Sequence, residues 1–254
     1  MLTEPLPRVI QSFGALGGQR VWSLLVTVFG DLAQEPGQMI EGRTLSVIMA
    51  GMEIRPEATR VALHRLRNDG WISSQKVGRA SHHSLTDLGR SQSAVAARRI
   101  YGRAQNAADW QAVVLPAVDA DQALTLQARG FAEIAPRVFI GPAGWAPDGA
   151  LCLVGEDIPP WVQAAVLPDA AAQDYANLYR VLQDAAAQLT EPLAPLERAV
   201  LRTLVVHNWR RIVLKHPDMP AGLLPADWQG QACRDMVHCL LDRFPRPALA
   251  DIPA

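Results

Sequence analysis

The stretch that most limits what this chain can become runs from Arg55 to Trp71: Arg-Pro-Glu-Ala-Thr-Arg-Val-Ala-Leu-His-Arg-Leu-Arg-Asn-Asp-Gly-Trp. Pro56 suits the first position of a helix, where its missing N–H would have no partner anyway. Gly70 stands where a helix-ending glycine belongs, with an aromatic just beyond it. Between these marks Ala58, Ala62, Leu63 and Leu66 recur at helical spacing and predict an inward face. The opposite face carries Glu57, Arg60, Val61, His64 and Arg65, with Arg67 on its flank. A DNA major groove admits one such helix, and arginine there reads guanine or clamps phosphate. An arginine-rich helix taken alone is more often a solvated basic face. Its neighbours decide between the two.

Upstream, residues 1–18 show little pattern, with Gly14, Gly17 and Gly18 breaking any helix. Gln19–Ala33 reads as a mostly buried helix with Leu25, Phe29 and Leu32 as its inner stripe, broadened by Trp22 and Val26. Gly30 inside it costs about 1 kcal/mol against alanine, which suggests a close helix crossing. Gly37 and Gly42 bracket a loop. Thr44 is then the expected N-cap of a helix to about Met52 that buries Leu45, Ile48 and Met49 or Met52. A short turn leads into the basic helix, and three helices in this order match a helix-turn-helix.

Downstream, Trp71–Gln75 and Ala80–Leu85 are two short strands around the turn Lys76-Val77-Gly78-Arg79, which makes a hairpin. A hairpin directly after a recognition helix is the wing of a winged helix, here with Lys76 and Arg79 at its tip. Thr86 caps a further helix that ends in a cationic stretch of Arg98, Arg99 and Arg103.

The character then changes. Trp110–Leu115 is a strand candidate, Asp119–Arg129 is helical, Phe131–Ile140 and Ala150–Val154 are further strands, and a short helix lies near 160–165. That order suggests a small ferredoxin-like α+β unit. From Asp169 onward the pattern is helical. Tyr175, Leu178, Tyr179 and Leu182 form one stripe, and Leu196, Val200, Leu204 and Val205 another. Met236, Val237, Leu240 and Leu241 lie on a last helix.

Net charge is −1 but unevenly spread: residues 1–103 hold 13 Lys and Arg against 8 Asp and Glu, a balance of +5, which leaves −6 for 104–254. A basic head on an acidic body points to a polyanion at the N-terminal end. The three cysteines, Cys152, Cys233 and Cys239, are few and lack metal-ligand spacing, which suggests buried thiols in a reducing compartment. No leader pattern and no apolar run of bilayer length is evident, so the expectation is a soluble cytoplasmic protein with no membrane association.

Several stretches together resemble the PaaX-like transcriptional repressors of phenylacetate degradation. They are Ser23–Asp31 (Ser-Leu-Leu-Val-Thr-Val-Phe-Gly-Asp), the Arg60…Leu66…Asp69-Gly70-Trp71 helix end, and Gly78-Arg79…Leu85-Thr86…Gly89-Arg90. Toward the other end they are Val206-His207-Asn208-Trp209-Arg210-Arg211-Ile212-Val213-Leu214 and the turn from Pro217 to Trp228. The resemblance covers nearly the whole chain in order. It implies an N-terminal winged helix-turn-helix over 1–103 with its linker helix, a ferredoxin-like (Cas2-like) middle domain over 104–167 and an all-α C-terminal effector and dimerisation domain over 168–254. It also implies a homodimer on a double-stranded DNA operator of an aromatic catabolic operon, released by an aryl-CoA thioester such as phenylacetyl-CoA. The serine-rich wing base and the His82-His83 pair depart from the tyrosine-rich form of that family.

The candidate DNA contacts are Arg55, Glu57, Thr59, Arg60, His64 and Arg65 on the helix, with Lys76 and Arg79 on the wing. Arginine suits guanine, Glu57 a cytosine amino group, Val61 a thymine methyl and Thr59 a phosphate. An acyl-CoA needs cations and an aromatic-lined pocket, for which His207, Trp209, Arg210 and Arg211 are candidates. The competing reading is that those arginines hold the acidic loop Asp218–Asp227 or a neighbouring domain. No resident cofactor, catalytic residue or metal site is expected. A nuclease reading rests on Asp119 or Asp121 after the first middle-domain strand, but Asp119 also heads a helix, where a carboxylate caps backbone N–H groups. A metal at Cys233, His238 and Cys239 is weighed and set aside. The remaining rival is a non-enzymatic scaffold whose winged helix binds protein.

Overall fold

The computed structural model describes residues 2–102, 109–155, 157–190, 192–216 and 218–253. Arg103, Pro217 and the expected 103/104 domain boundary lie outside the described residues. The described residues form ten α-helices and two small antiparallel sheets, a mixed α+β architecture. They fall into two compact units, one built from residues 1–102, 177–211 and 232–254, the other from 103–176 and 212–231.

The first unit begins with a helix where none was expected: α1, Leu6–Ala15, buries Leu6, Val9, Ile10 and Phe13. Those four positions have helical spacing, and Gly14 falls in the last turn rather than breaking the helix. Helix α2, Val21–Leu32, is apolar on nearly every side, which is why it is almost wholly buried. A Cβ at Gly30 would meet only Ser93 Oγ at 3.8 Å. That is ordinary contact, so the glycine is not demanded by a close crossing there.

After β1 (Ile40–Glu41), helix α3 runs Gly42–Gly51 and starts earlier than expected, with Glu41 in the cap position and Thr44 buried inside the first turn. The close approach comes at its other end, where a Cβ on Gly51 would lie 2.6 Å from a Val200 methyl. Helix α4, Pro56–Asn68, is the basic helix. Strands β2 (Ile72–Val77) and β3 (Ala80–Leu85) form the hairpin, and β1 joins its far edge in the order β1-β3-β2. Helix α5, Asp87–Tyr101, is capped as expected by Thr86, whose Oγ1 accepts from Gly89 N–H.

The C-terminal segments complete this unit. Helices α8 (Asp169–Gln188) and α9 (Pro195–Val213) each contribute part of their length, and α10 (Gly230–Arg243) most of its own. Residues 199–209 of α9 are all buried, and four of them, Arg202, Thr203, His207 and Asn208, are polar. Arg202 is held most firmly. Its Nε and Nη2 donate to the two oxygens of Asp31 at 2.9 Å each, and its Nη1 donates to the carbonyls of Leu241 and Phe244. Asp31 also accepts from Tyr101 Oη at 2.8 Å and Arg246 Nε at 3.2 Å. This carboxylate is 2 % exposed and ties α2, α5, α9 and the segment after α10 together. Burial alone would raise its pKa, but the Arg202 hydrogen bonds and charge, then Arg246 and Tyr101, hold it below the usual aspartate value.

The second unit contains β4 (Trp110–Val114), α6 (Ala120–Ala128), β5 (Ala132–Ala135), β6 (Val138–Pro142), β7 (Leu151–Leu153) and α7 (Pro160–Val166). The stretch 131–140 is two strands rather than one, because Pro136-Arg137 turns the chain with Arg137 at φ 65°. The sheet order is β5-β6-β4-β7 with every pair antiparallel. Strands β4 and β5 therefore run parallel to each other across β6, joined by α6, which packs Leu126 against Val113, Leu115, Phe131 and Phe139.

The buried ionisable groups give the first unit an acid limb. His207 is fully buried, and burial, then the charges of Arg210 and Arg211, push its pKa down to about 3. The unfolded chain takes that proton near pH 6.5, so stability present above that pH falls between about 6.5 and 3. The Asp31 contribution is present above the unfolded aspartate pKa and is lost as pH falls below about 4. Denaturant titrations from pH 8 to 3 should show the upper limb flattened in His207→Leu. Asp31→Ala should cost about 3–5 kcal/mol at pH 7, because it leaves the buried Arg202 guanidinium without its carboxylate.

Candidate nucleic-acid interface

Helix α4 presents its basic side to solvent. Thr59, Ala62 and Leu66 are buried beneath it, while Glu57, Arg60, Val61, His64, Arg65 and Arg67 are exposed. Its C-terminus closes as the glycine implied: Gly70 has φ 71°, Trp71 N–H reaches Leu66 O at 2.9 Å and Gly70 N–H reaches Arg67 O at 3.1 Å. The helix therefore has a fixed end and a free face.

The expected contacts are not equivalent once placed. Arg60 Nη2 lies 3.1 Å from Glu57 Oε1, an exposed i,i+3 pair that a phosphate or a base edge can replace at little cost. Between these residues and His64 sits Val61, 71 % exposed. His64 Nδ1 contacts Asn68 Nδ2 at 3.3 Å. Arg65 is already engaged, with Nε 3.5 Å from Asp69 and its guanidinium 5.2 Å from the centre of the Trp22 ring, so it braces α4 against α2. Arg55 is exposed just before the first turn. Thr59 is placed differently from these residues: it is 5 % exposed and its hydroxyl donates to Arg55 O. It falls on the inward stripe three residues before Ala62.

The hairpin carries Lys76 and Arg79, both exposed, around a turn that requires Gly78 at φ 63°. Its base is held by side chains of the serine ladder. Ser73 and Ser84 hydroxyls lie 2.9 Å apart and Ser74 Oγ lies 2.7 Å from His83 Nδ1. His83 is buried, which with the Arg67 and His82 charges lowers its pKa, so it stays neutral and structural. A residue the sequence reasoning passed over is Arg43. It stands in the first turn of α3, and with Ser46, Pro56, Arg79 and Ser81 it lines a broad groove between α3, the start of α4 and the hairpin. Placing the start of that helix at Thr44 hid it, although Gly42-Arg43 marks a cation at a helix start.

The four expected ligand residues separate. His207 is neutral and fully enclosed, its Nδ1 3.4 Å from Thr27 Oγ1, and Trp209 is 1 % exposed with its indole N–H donated to Ile100 O. Neither is presented to a ligand. Arg211 Nη1 donates to Gly17 O. Arg210 donates to Thr27 Oγ1 and Ser23 O and lines a narrow slot with Trp71, Ser93 and Tyr101. Arg210 is thus tied to α2 and Arg211 to the loop between α1 and α2.

Asp119 caps α6 through a reciprocal capping box, its Oδ1 2.8 Å from Gln122 N. Cys233 is buried, and burial pushes its thiol up to about 12, whereas Cys239 is exposed. Among the described residues no group of three or more His, Cys, Asp or Glu gathers as a metal site, and no helix is long and apolar enough to cross a membrane.

Comparison with known proteins matches two parts of one family. Residues 20–89 match the PaaX-like protein model and residues 168–250 the PaaX-like protein C-terminal domain, together more than half of the chain. The chain is 28% identical over 259 residues to the transcriptional repressor PaaX of Escherichia coli (strain K12), covering 90% of this chain and 81% of that one. It also resembles in fold an uncharacterized protein from Mycobacterium tuberculosis, with a TM-score of 0.52 at 21% identity, covering 87% of this chain and 94% of the other. Helix α4 and Asp31 lie within the first matched region and Arg202 and Arg246 within the second, and the chain belongs to the PaaX-like protein family.

Proposed function

We propose that this protein is a DNA-binding transcriptional repressor of an aromatic-acid, phenylacetate-type catabolic operon. An aryl-CoA thioester such as phenylacetyl-CoA releases it from its operator. The observation that carries this reading is the free cationic face of α4, with Val61 among its cations, in a chain similar across 90% of its length to a named repressor. In this reading α2, α3 and α4 with the β2–β3 hairpin act as a winged helix-turn-helix. Helix α4 enters the major groove. Arg43, Lys76 and Arg79 grip the phosphates on either side of the groove they line or border. The four-stranded unit acts as a ferredoxin-like, Cas2-like domain, and the helices of 168–254 carry effector response.

A repressor of this kind acts as a homodimer, so that two α4 helices meet half-sites about 34–36 Å apart or a multiple of that. Strand β7 is the edge of its sheet, and Leu151 and Leu153 on it are exposed, as are Val154 just after it and Trp161 in α7. An unpaired edge with aliphatic side chains is a template for pairing with a second copy. That supports the dimer.

Footprinting on the DNA upstream of its own and neighbouring genes should show a protected palindrome that phenylacetyl-CoA removes. Specific binding indifferent to every aryl-CoA would reject the effector, and absence of specific binding would reject the repressor. Within the protected site, Arg60→Ala should cost about 1–3 kcal/mol and relax preference at one base position. Arg43→Ala and Arg79→Ala should instead weaken all sequences alike and each lower the slope of log K against log salt by about 1. Fluorescence anisotropy at several salt concentrations separates the two patterns.

A further inference from the structure

Within the first unit, helices α2, α5 and α9 leave a narrow slot that the outward face of α4 does not use. Its volume is about 40 Å³, room for a few non-hydrogen atoms, since one water needs about 10–15 Å³. Val26, Ala96, Ala97, Ile100 and Val206 make much of its wall apolar, and exposed Gln92 borders it where it opens to solvent. Arg210 is the cation on that wall. Its Nη1 donates to Thr27 Oγ1 at 3.1 Å and Ser23 O at 3.4 Å. Among the described residues its Nε and Nη2 make no hydrogen bond, and neither atom is enclosed by protein. Arg210 also makes no ion pair there, and burial lowers its pKa from the usual arginine value.

A charge withdrawn from water is ordinarily paired, and the same helix shows with what. About two turns earlier on α9, Arg202 turns its Nε and Nη2 to the two oxygens of Asp31 at 2.9 Å each. Arg210 has that same edge of its guanidinium unpaired. Such a fork matches a carboxylate through two parallel N–H···O bonds. Asp31 itself borders the slot, but Arg202 and Arg246 both hold it and outweigh its charge. Tyr101 is held in its neutral form by burial and by Asp31, and His207 on α9 is neutral as well. The charge facing the slot is therefore positive. A planar group of three non-hydrogen atoms suits its volume, whereas a phosphate is bulkier. We propose that this slot is a binding site for the carboxylate of a small organic acid, held by the Nε and Nη2 edge of Arg210.

The site adjoins the end of α4. Trp71, on its wall, closes that helix through its N–H to Leu66 O, and its carbonyl accepts from Thr86 N–H at the start of α5. Two other wall residues already join the helices around it. Thr27 of α2 accepts from Arg210 of α9, and Tyr101 of α5 donates to Asp31 of α2. An acid seated on Arg210 adds a further tie among the same three helices. Any effect on operator affinity rests on the repressor reading, but carboxylate binding does not.

Calorimetric titration of the full chain without DNA, in chloride-free buffer, tests the site. Acetate and phenylacetate are the probes, and acetamide and phenylacetamide, which lack the charge, are the controls. Saturable one-to-one binding of at least one acid is expected, with no binding of its amide. Arg210→Gln should weaken it at least tenfold, and Arg210→Lys should restore part of it. Arg210 also ties α9 to α2, so the second arm leaves it in place. Gly30 borders the slot, and a Cβ there would meet only Ser93, at 3.8 Å. Gly30→Ala should melt no lower than the wild type, because it removes a glycine from a helix, yet weaken the acid at least tenfold by taking up the slot. Equal affinity for the two acids would place recognition in the carboxylate alone, and a preference for phenylacetate would add a contact from its ring. No saturable binding of either acid, an amide bound as tightly as its acid, or binding unchanged in both Arg210→Gln and Gly30→Ala would overturn the proposal. Saturation by added chloride but by neither acid would overturn it too. Operator binding is judged separately in every case.

Discussion

Asp31 is a carboxylate enclosed by protein, and the first unit is arranged around keeping it charged. Four donors from three parts of the chain converge on its two oxygens: two from Arg202, one from Arg246 and one from Tyr101. A buried ion pair contributes little net stability compared with an apolar replacement, but breaking one partner is costly. Its consequence here is geometric. Arg202 belongs to α9, and Asp31 to the helix against which α4 packs. The C-terminal helices cannot shift against the N-terminal ones without disturbing this pair.

That constraint gives the proposed repressor a physical route from ligand to DNA. Helix α4 is braced to α2 by Arg65 over Trp22, and α2 is pinned to α9 through Asp31. Arg210 adds a second tie from α9 to α2 through Thr27. Each link is a short, directional contact between charged or strongly polar groups, the kind that transmits a displacement rather than absorbing it. An effector acting on this chain must prefer one arrangement of it to another, because only differential affinity shifts an equilibrium.

The sequence disclosed what local rules govern. Pro56, the apolar period and Gly70 marked α4 to within a residue, and Thr86 and Asp119 marked their caps, because each signal lies within one turn of the element it ends. The misses have equally physical causes. Helix α1 carried Leu6, Val9, Ile10 and Phe13 at the right spacing, but Pro5, Pro7 and three glycines obscured it. Thr59 was assigned outward by residue type although its position lies on the Ala62–Leu66 stripe. His207 and Trp209 have the chemistry of ligand groups, yet residues 199–209 of α9 are all buried and draw them into the core. The Asp31–Arg202 pair spans 171 residues and leaves no local trace.

The central claim is that ligand and operator compete through the Asp31 assembly, and reciprocity tests it most directly. If phenylacetyl-CoA weakens operator affinity by some factor, saturating operator must weaken phenylacetyl-CoA affinity by the same factor. Both should be measured by titration on the wild type and on Asp31→Asn, with folding of the variant checked by its melting curve. The account predicts equal factors in the wild type and a coupling reduced toward one in a folded Asp31→Asn protein. A coupling unchanged in that variant would show that the signal reaches the DNA-binding helix by another route and would contradict the account.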